Sequence, residues 1–255
     1  MTHSLADELK AAVEATVAAG DEVARLRRDG LRYGHKEGRE LVSEADIRAA
    51  EMLHEALTHA FPDTGWLSEE HVDTADRLDR ERVWVVDPID GTREYLMGLP
   101  EYAVSVALVI DGAPALGVVY NPATRHLAQA VSTESCEHQA QAVPADYDVL
   151  VGRGEQRWND VPSLPGRARV KGIGSIAYRL ALVAAGQGDA VVTGSGRAEW
   201  DVAAGAALCL AAGLRVTDVL GEPMRFNQPE PYVRGLLVAR AGLHRRIRGH
   251  FESLR

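Results

Sequence analysis

The chain has 255 residues, a formal net charge of −9, and 46% apolar against 25% charged residues. That length suits one large domain or two intimate halves, and the composition is that of an ordinary soluble globular protein. The acidic balance argues against a nucleic-acid polymer as the main partner, and no stretch approaches the roughly 18 uncharged apolar residues of a membrane helix. A small anionic substrate stays open, because a metal ion inverts the local charge.

Leu5, Leu9, Val13 and Val17 recur every four residues and predict a long amphipathic first helix. Its leading segment, "MTHSLADELKAAV", has neither a basic region nor a long apolar core, so the expected location is the cytoplasm. Ser43 offers a hydroxyl cap to a second helix running to about Ala60, with Asp46 three positions on, and "FPDTG" (61–65) closes it. Val83 to Val86 reads as a buried strand. Ala103 to Ile110, a turn at Asp111-Gly112, Leu116 to Tyr120 and a weaker segment from His126 to Val131 then predict an antiparallel meander. Residues 132–148 are polar and predict an exposed connection, dividing one compact unit into halves 1–135 and 136–255.

The second half alternates. A strand at 149–152, a helix from Ser175 to about Ala185 and a strand at 190–193 lead to a helix from Asp201 to Ala212, closed by Gly213. Strands near 214–219 and 236–239 precede a final helix. Strands and helices segregated in this way predict layered α/β or α+β packing. Cys209, inside "AALCLAA", reads as a small core residue; with Cys136 it forms neither metal-ligand spacing nor a disulfide framework. The nine histidines show no paired ligand spacing and read as surface or packing residues.

Four places put acids where the pattern asks for apolar residues. "VWVVDPIDGT" runs from a buried strand straight into Asp87 and Asp90, and "WLSEEH" places Glu69 and Glu70 after Trp66-Leu67. Asp46 extends the face of Ala50, Leu53, Leu57 and Ala60, and Asp201 that of Ala204, Leu208 and Ala211. Each has an ordinary reading: Asp46 and Asp201 as helix caps, the Glu pair as a solvated loop, Asp87 to Asp90 as a surface turn. Together they ask for cations, since several carboxylates bordering buried segments cannot all stay ionised alone. Oxygen ligands without a His or Cys motif suit Mg²⁺. Pro88 fixes the backbone so that both carboxylates and the Ile89 carbonyl can aim at shared ions. Gly91-Thr92 offers free N–H groups to a phosphate at the start of a short helix. These are the parts of metal-assisted phosphoester hydrolysis.

"WVVDPIDGTREYLMGLPEYAVSVALV" (84–109) resembles the signature of the inositol monophosphatase superfamily of Mg²⁺-dependent, lithium-sensitive phosphatases. "LVSEAD" (41–46), "LSEEH" (67–71) and "WDVAAGAALCLAAG" (200–213) resemble its other motifs, in the family's order. The resemblance implies a five-layer αβαβα sandwich. It implies that Glu69, Asp87 and the Ile89 carbonyl hold one ion, that Asp87, Asp90 and Asp201 hold a second, and that Glu69 takes part in a weaker third. It further implies that Asp46 and Thr92 orient and help deprotonate the attacking water. Ile89, Asp90, Gly91 and Thr92 would face the phosphate, and Asp201 the rest of the substrate. Members are often homodimers, and no surface stripe here demands one.

Inositol-specific members carry a Glu about seven residues before the Asp of the Trp-Asp pair, where this chain has Gly194. "GSGRAEWDVAAG" (194–205), "EPMRFNQPEPYVRGLLVAR" (222–240) and "TREY" (92–95) instead resemble the bacterial 3′(2′),5′-bisphosphate nucleotidase branch. The implied substrate is 3′-phosphoadenosine 5′-phosphate, cleaved to AMP and phosphate in by-product removal from sulfur assimilation. Arg197 is the candidate contact for its second phosphate, with a solvated loop arginine as the competing reading. A wide basic pocket near Arg197 and Arg225 is expected in that case. The alternatives are a phosphatase for inositol 1-phosphate or another sugar phosphate, and a non-catalytic phosphate-ligand sensor.

Overall fold

A computed structural model describes residues 3–30, 33–35, 41–132, 143 and 145–253. In chain order it holds α1 (Leu5–Asp29), a short pair β1 (Tyr33–His35) and β2 (Leu41–Ser43), α2 (Glu44–Ala60), and β3 (Gly65–Ser68). Then come β4 (Arg82–Asp90), α3 (Thr92–Met97), β5 (Ala103–Ile110), β6 (Ala113–Asn121) and β7 (His126–Val131). The rest comprises β8 (Asp146–Gly152), α4 (Arg153–Arg157), β9 (Arg167–Ile173), α5 (Ile176–Ala184), β10 (Ala190–Thr193), β11 (Arg197–Ala198) and α6 (Glu199–Ala211). It closes with β12 (Arg215–Thr217), β13 (Tyr232–Val233), β14 (Leu236–Ala239) and α7 (Ala241–Ser253).

The meander expected from the sequence is present as β4-β5-β6-β7, each neighbour antiparallel, and β3 joins its edge in parallel with β4. The second sheet has the order β12-β14-β10-β8-β9, with β8 parallel to both β9 and β10. Side-chain alternation along the strands builds the layers. Trp84, Val86, Val104, Val106 and Val118 face α1 and α2 through Ala12, Val23, Leu53 and Leu57. From the opposite face, Val83, Val85, Ala107 and Val119 meet Leu180, Ala203 and Leu208 of α5 and α6, which also meet Val191 and Val238 of the second sheet. That sheet's far face, with Val149, Val192 and Leu237, buries Leu243 and Ile247 of α7. The order is therefore helix, sheet, helix, sheet, helix, the five layers expected.

Close approach fixes the middle layer. A Cβ on Gly117 of β6 would stand 2.2 Å from the Ala204 carbonyl of α6, so only glycine lets that helix lie so near the sheet. Cys209 sits in this layer, fully buried, and Gly213 follows α6 at φ 74°.

Three sequence expectations change. β8 begins at Asp146, so the connection expected over 132–148 ends inside a sheet; Cys136 and the 135/136 boundary lie outside the described residues. Ala60, placed on the buried face of α2, is exposed at the end of the last turn, while Ala50, Leu53 and Leu57 are buried. Strand β9 went unread: "RARVKGI" alternates, but its inward residues are small or half-buried, so the apolar signal is faint. Among the described residues, no helix is long and apolar enough to cross a membrane.

Candidate active site

The C-terminal end of β4 makes the first part of the site. Val83 to Val86 are buried by sheet neighbours and helices on both faces, and the strand carries Asp87 with it to 2% exposure. Pro88 has no N–H for the ladder, and the pairing with β5 slips between Asp87–Ser105 and Asp90–Ala103. The slack is taken up locally: the Ile89 N–H donates to Asp87 Oδ1 at 2.9 Å. The Ile89 side chain stays in the core, which leaves its carbonyl to accept from Thr92 Oγ1 at 3.0 Å. Gly91 then turns the chain at φ 94°, ψ 37°, a left-handed conformation, and starts α3; a Cβ there would meet the Glu101 carbonyl at 2.9 Å.

Asp46 satisfies both readings open to it. Its Oδ2 accepts from the Ser43 N–H at 2.7 Å and from Ser43 Oγ at 2.6 Å, completing the capping box of α2. Its Oδ1 accepts from Thr92 Oγ1 at 3.0 Å across 46 residues of sequence. The cap is thus what aims the carboxylate. Asp90 is held in the same manner, by Ser175 Oγ at 2.5 Å and the Ala177 N–H at 2.6 Å, at the start of α5. Asp201 lies in the first turn of α6, whose Trp200 carbonyl accepts from Ser105 Oγ, the partner of Asp87 across the ladder.

Among the described residues, these acids crowd one another. Burial pushes the Asp87 carboxyl well above the ordinary range, and its strongest charge neighbours, Glu69, Asp90, Asp201 and Asp46, push it the same way. Asp201 is raised by burial, Asp90 and Glu69, against a pull from Arg197. Asp90 is raised by burial and drawn back by Ser175, the Ala177 N–H, Arg179 and Arg197. Among the described residues, no three His, Cys, Asp or Glu side chains are drawn into a finished metal cage. The donors nonetheless suit a hard divalent cation: all are oxygens, several are buried, and their mutual repulsion is what a cation relieves.

Glu69, Asp90, Gly91, Thr92, Arg197 and Asp201 line one cavity of about 780 Å³. The structure therefore brings the sequence-selected residues together, with Asp87 beneath and Asp46 behind Thr92. Its other wall was not foreseen. Glu155, in the first turn of α4, accepts from the Gly152 N–H at 2.6 Å, from Thr193 Oγ1, and from Ser195 Oγ and Arg197 Nη2 at 3.2 Å each. Burial raises its carboxyl, but these hydrogen bonds and the charges of Arg179 and Arg197 outweigh it, and the net shift is downward. Arg179 of α5 is 2% exposed, 3.7 Å from Glu155, and lowered to about 10 by burial. Arg179 Nη1 and Arg197 Nε are buried without hydrogen-bond partners. A lone arginine inside "IAYRLALVA" was the one legible signal for this wall.

Arg225 is not part of the pocket. Its guanidinium donates to the Asp111 carbonyl, beside the turn that joins β5 to β6. That turn lies at the Arg82 end of β4, opposite Asp87, because β5 runs antiparallel to it.

A family model described as the inositol monophosphatase family matches residues 4–254. The chain belongs to that family, and it is a phosphoric monoester hydrolase. It is 31% identical over 228 residues to the 3′(2′),5′-bisphosphate nucleotidase CysQ of Salmonella typhimurium, covering 84% of this chain and 92% of the relative. It is 33% identical over 230 residues to the inositol-1-monophosphatase of Mesorhizobium japonicum, covering 84% and 86%. Among solved structures, the extragenic suppressor protein SuhB of Bartonella henselae matches with a TM-score of 0.78 at 26% identity, covering 96% of this chain and 98% of that one.

Proposed function

We propose that this protein is a Mg²⁺-dependent phosphatase that converts 3′-phosphoadenosine 5′-phosphate to AMP and inorganic phosphate. The observation that carries the substrate is the pair of buried guanidinium nitrogens, Arg179 Nη1 and Arg197 Nε, in the wall of the cavity that also holds Gly91 and Thr92. Two guanidinium nitrogens without a hydrogen bond, Arg179 Nη1 only 3.7 Å from Glu155, lie near the Gly91-Thr92 turn and suit a ligand with a second phosphate. A neutral inositol ring gives them no charge to meet, and Gly194 offers no carboxylate to its hydroxyls. The resemblance to the Salmonella nucleotidase supports the same substrate, and the Mesorhizobium relative keeps inositol 1-phosphate as the second reading.

Glu69, Asp87, Asp90, Asp201 and the Ile89 carbonyl are the proposed holders of two or three ions. When bound, Mg²⁺ supplies water activation and stabilises charge on the phosphoryl and leaving oxygens. The Gly91 and Thr92 N–H groups hold the phosphate, and Asp201 also meets the sugar. Thr92 has one hydroxyl hydrogen for two acceptors, Asp46 Oδ1 and the Ile89 carbonyl. With the carbonyl engaged elsewhere, that hydrogen goes to Asp46, and Thr92 Oγ1 is left to accept a proton from the attacking water. The water oxygen bonds to phosphorus and its proton moves through Thr92 to Asp46. The bond from phosphorus to the ribose oxygen breaks with its electron pair on that oxygen, which takes a proton from solvent water to become the hydroxyl of AMP. No side chain becomes covalently attached. Inhibition by Li⁺ is expected on the family resemblance.

Phosphate release with Mg²⁺ tests this, comparing 3′-phosphoadenosine 5′-phosphate with inositol 1-phosphate as kcat/KM. A clear preference for the nucleotide is expected. Preference for the inositol ester overturns the substrate, and tight ligand binding without turnover on either points to a sensor.

A further inference from the structure

Arg77 lies in a single 3₁₀ turn (Ala75–Asp79) between β3 and β4, at 3% exposure, with no part in the cavity. All three of its guanidinium nitrogens donate hydrogen bonds. Nε donates to Asp73 Oδ1 at 2.6 Å and Nη2 to Asp73 Oδ2 at 2.8 Å, a two-pronged grip on the segment that follows Glu69 and Glu70. Nη1 donates to Asn227 Oδ1 at 2.7 Å and Nη2 to the Gln228 carbonyl at 2.9 Å, about 150 residues away. Asn227 answers with its Nδ2 to the Arg77 carbonyl at 3.1 Å.

The same two residues continue the chain of bonds. The Asn227 and Gln228 N–H groups donate to Glu199 Oε2 and Oε1 at 2.6 and 3.0 Å. Glu199 is wholly buried, opens α6, and stands two residues before Asp201. Asn227 takes φ 58°, a left-handed conformation that asparagine tolerates better than most residues, and it presents both backbone and side chain to these contacts. One continuous bridge thus runs from Asp73 through Arg77, Asn227 and Gln228 to Glu199. It joins the loop that carries Glu69 to the helix that carries Asp201.

Those two carboxylates line the same cavity and carry charge of the same sign, so they repel. Burying an arginine and a glutamate costs desolvation that apolar side chains in the same places would avoid. What ions and hydrogen bonds add over apolar packing is a fixed distance and angle. We infer that Arg77 is a positioning residue: through the bridge to Glu199 it holds Glu69 and Asp201 at the spacing a divalent cation needs, against their repulsion. The inference rests on the proposed metal-holding roles of those two acids.

The test is Mn²⁺ binding by calorimetry to the full-length, metal-free protein without substrate, for wild type, Arg77→Met, Arg77→Lys and Glu199→Gln. Alongside it, kcat is followed against Mg²⁺ concentration. Arg77→Met is expected to weaken Mn²⁺ binding about tenfold or more and to raise the Mg²⁺ concentration for half-activity in step, the effect typical of groups that orient metal ligands. At saturating Mg²⁺, kcat should stay near the wild-type value. Arg77→Lys, which keeps one donor for Asp73, should fall between. If Arg77→Met does not fold, Glu199→Gln decides: it replaces one acceptor by a donor and should weaken Mn²⁺ binding in the same direction. Folded Arg77→Met or Glu199→Gln with wild-type Mn²⁺ affinity overturns the bridge alone. Wild-type protein that binds no Mn²⁺ overturns the reading of the site beneath it.

Discussion

The two walls of the cavity treat buried charge in opposite ways. Around Asp87, on the β4 side, acids face acids, and every strong neighbouring charge drives its carboxyl upward. Around Glu155, on the α4 and α5 side, one acid faces two arginines and shifts downward. Both regions are desolvated, so burial alone does not distinguish them. What distinguishes them, among the described residues, is which charges lie nearest: other acids for Asp87, arginines for Glu155. The Glu155 wall sets two arginines against one acid, and two of their nitrogens, Arg179 Nη1 and Arg197 Nε, make no hydrogen bond. On the proposed reading, the Asp87 wall takes its counter-charge from cations, and the repulsion they would relieve is the source of its affinity for them.

The largest effect should come from Asp87→Asn. It is expected to lower kcat by about a thousandfold or more, since several kcal/mol of transition-state stabilisation convert at about 1.4 kcal/mol per tenfold. The same variant should raise Tm in EDTA, because it removes the most crowded charge of the acidic wall. A Tm that falls instead breaks the comparison. Thr92→Val comes next. Losing the hydroxyl between water and Asp46 should cost about a hundredfold in kcat with little change in KM, read from steady-state rates.

On the other wall, Arg197→Met should raise KM for the bisphosphate by about tenfold or more, the scale of one hydrogen bond to a charged group, while 3′-AMP is handled as before. Equal losses on both substrates would mean that Arg197 does not read the second phosphate. The pH dependence sharpens the contrast further. Asp87, Asp90 and Asp201 are raised in the fold, and Glu199 is raised from 4.5 to about 7, chiefly by burial. The folded state then holds these protons more tightly than the unfolded chain. The contribution of these four groups to stability is therefore greatest below the ordinary carboxylate range and declines as pH rises from there through about 7. Thermal melts in EDTA should show that decline, and Mg²⁺ should flatten it by holding the acids ionised. The smallest expected effect is Ser43→Ala, about 1 kcal/mol of stability from the lost α2 cap, with some loss of kcat because the cap also aims Asp46.

The acidic wall was legible because its signal is local. Asp87-Pro88-Ile89-Asp90-Gly91-Thr92 interrupts a buried strand, and Asp46 and Asp201 interrupt apolar helix faces, so each breaks a short-range pattern. The structure shows both at once for Asp46, a cap on Oδ2 and a partner for Thr92 on Oδ1. Glu155 breaks no pattern. It stands in "GRGEQR", an ordinary polar turn, and becomes significant only when β10 brings Thr193 against it across 38 residues. Arg77 and Glu199 meet through a segment about 150 residues from the first, which no periodicity reports. The misplacement of Arg225 has the same origin: proximity in sequence to the C-terminal motif says nothing of which end of the sheet the segment crosses.

The most direct test of this division of charge is anomalous diffraction from crystals grown with Mn²⁺ and AMP. The account predicts Mn²⁺ peaks among Glu69, Asp87, the Ile89 carbonyl, Asp90 and Asp201, and the AMP phosphate against Arg179 and Arg197. Mn²⁺ bound elsewhere, or the AMP phosphate away from both arginines, would contradict it.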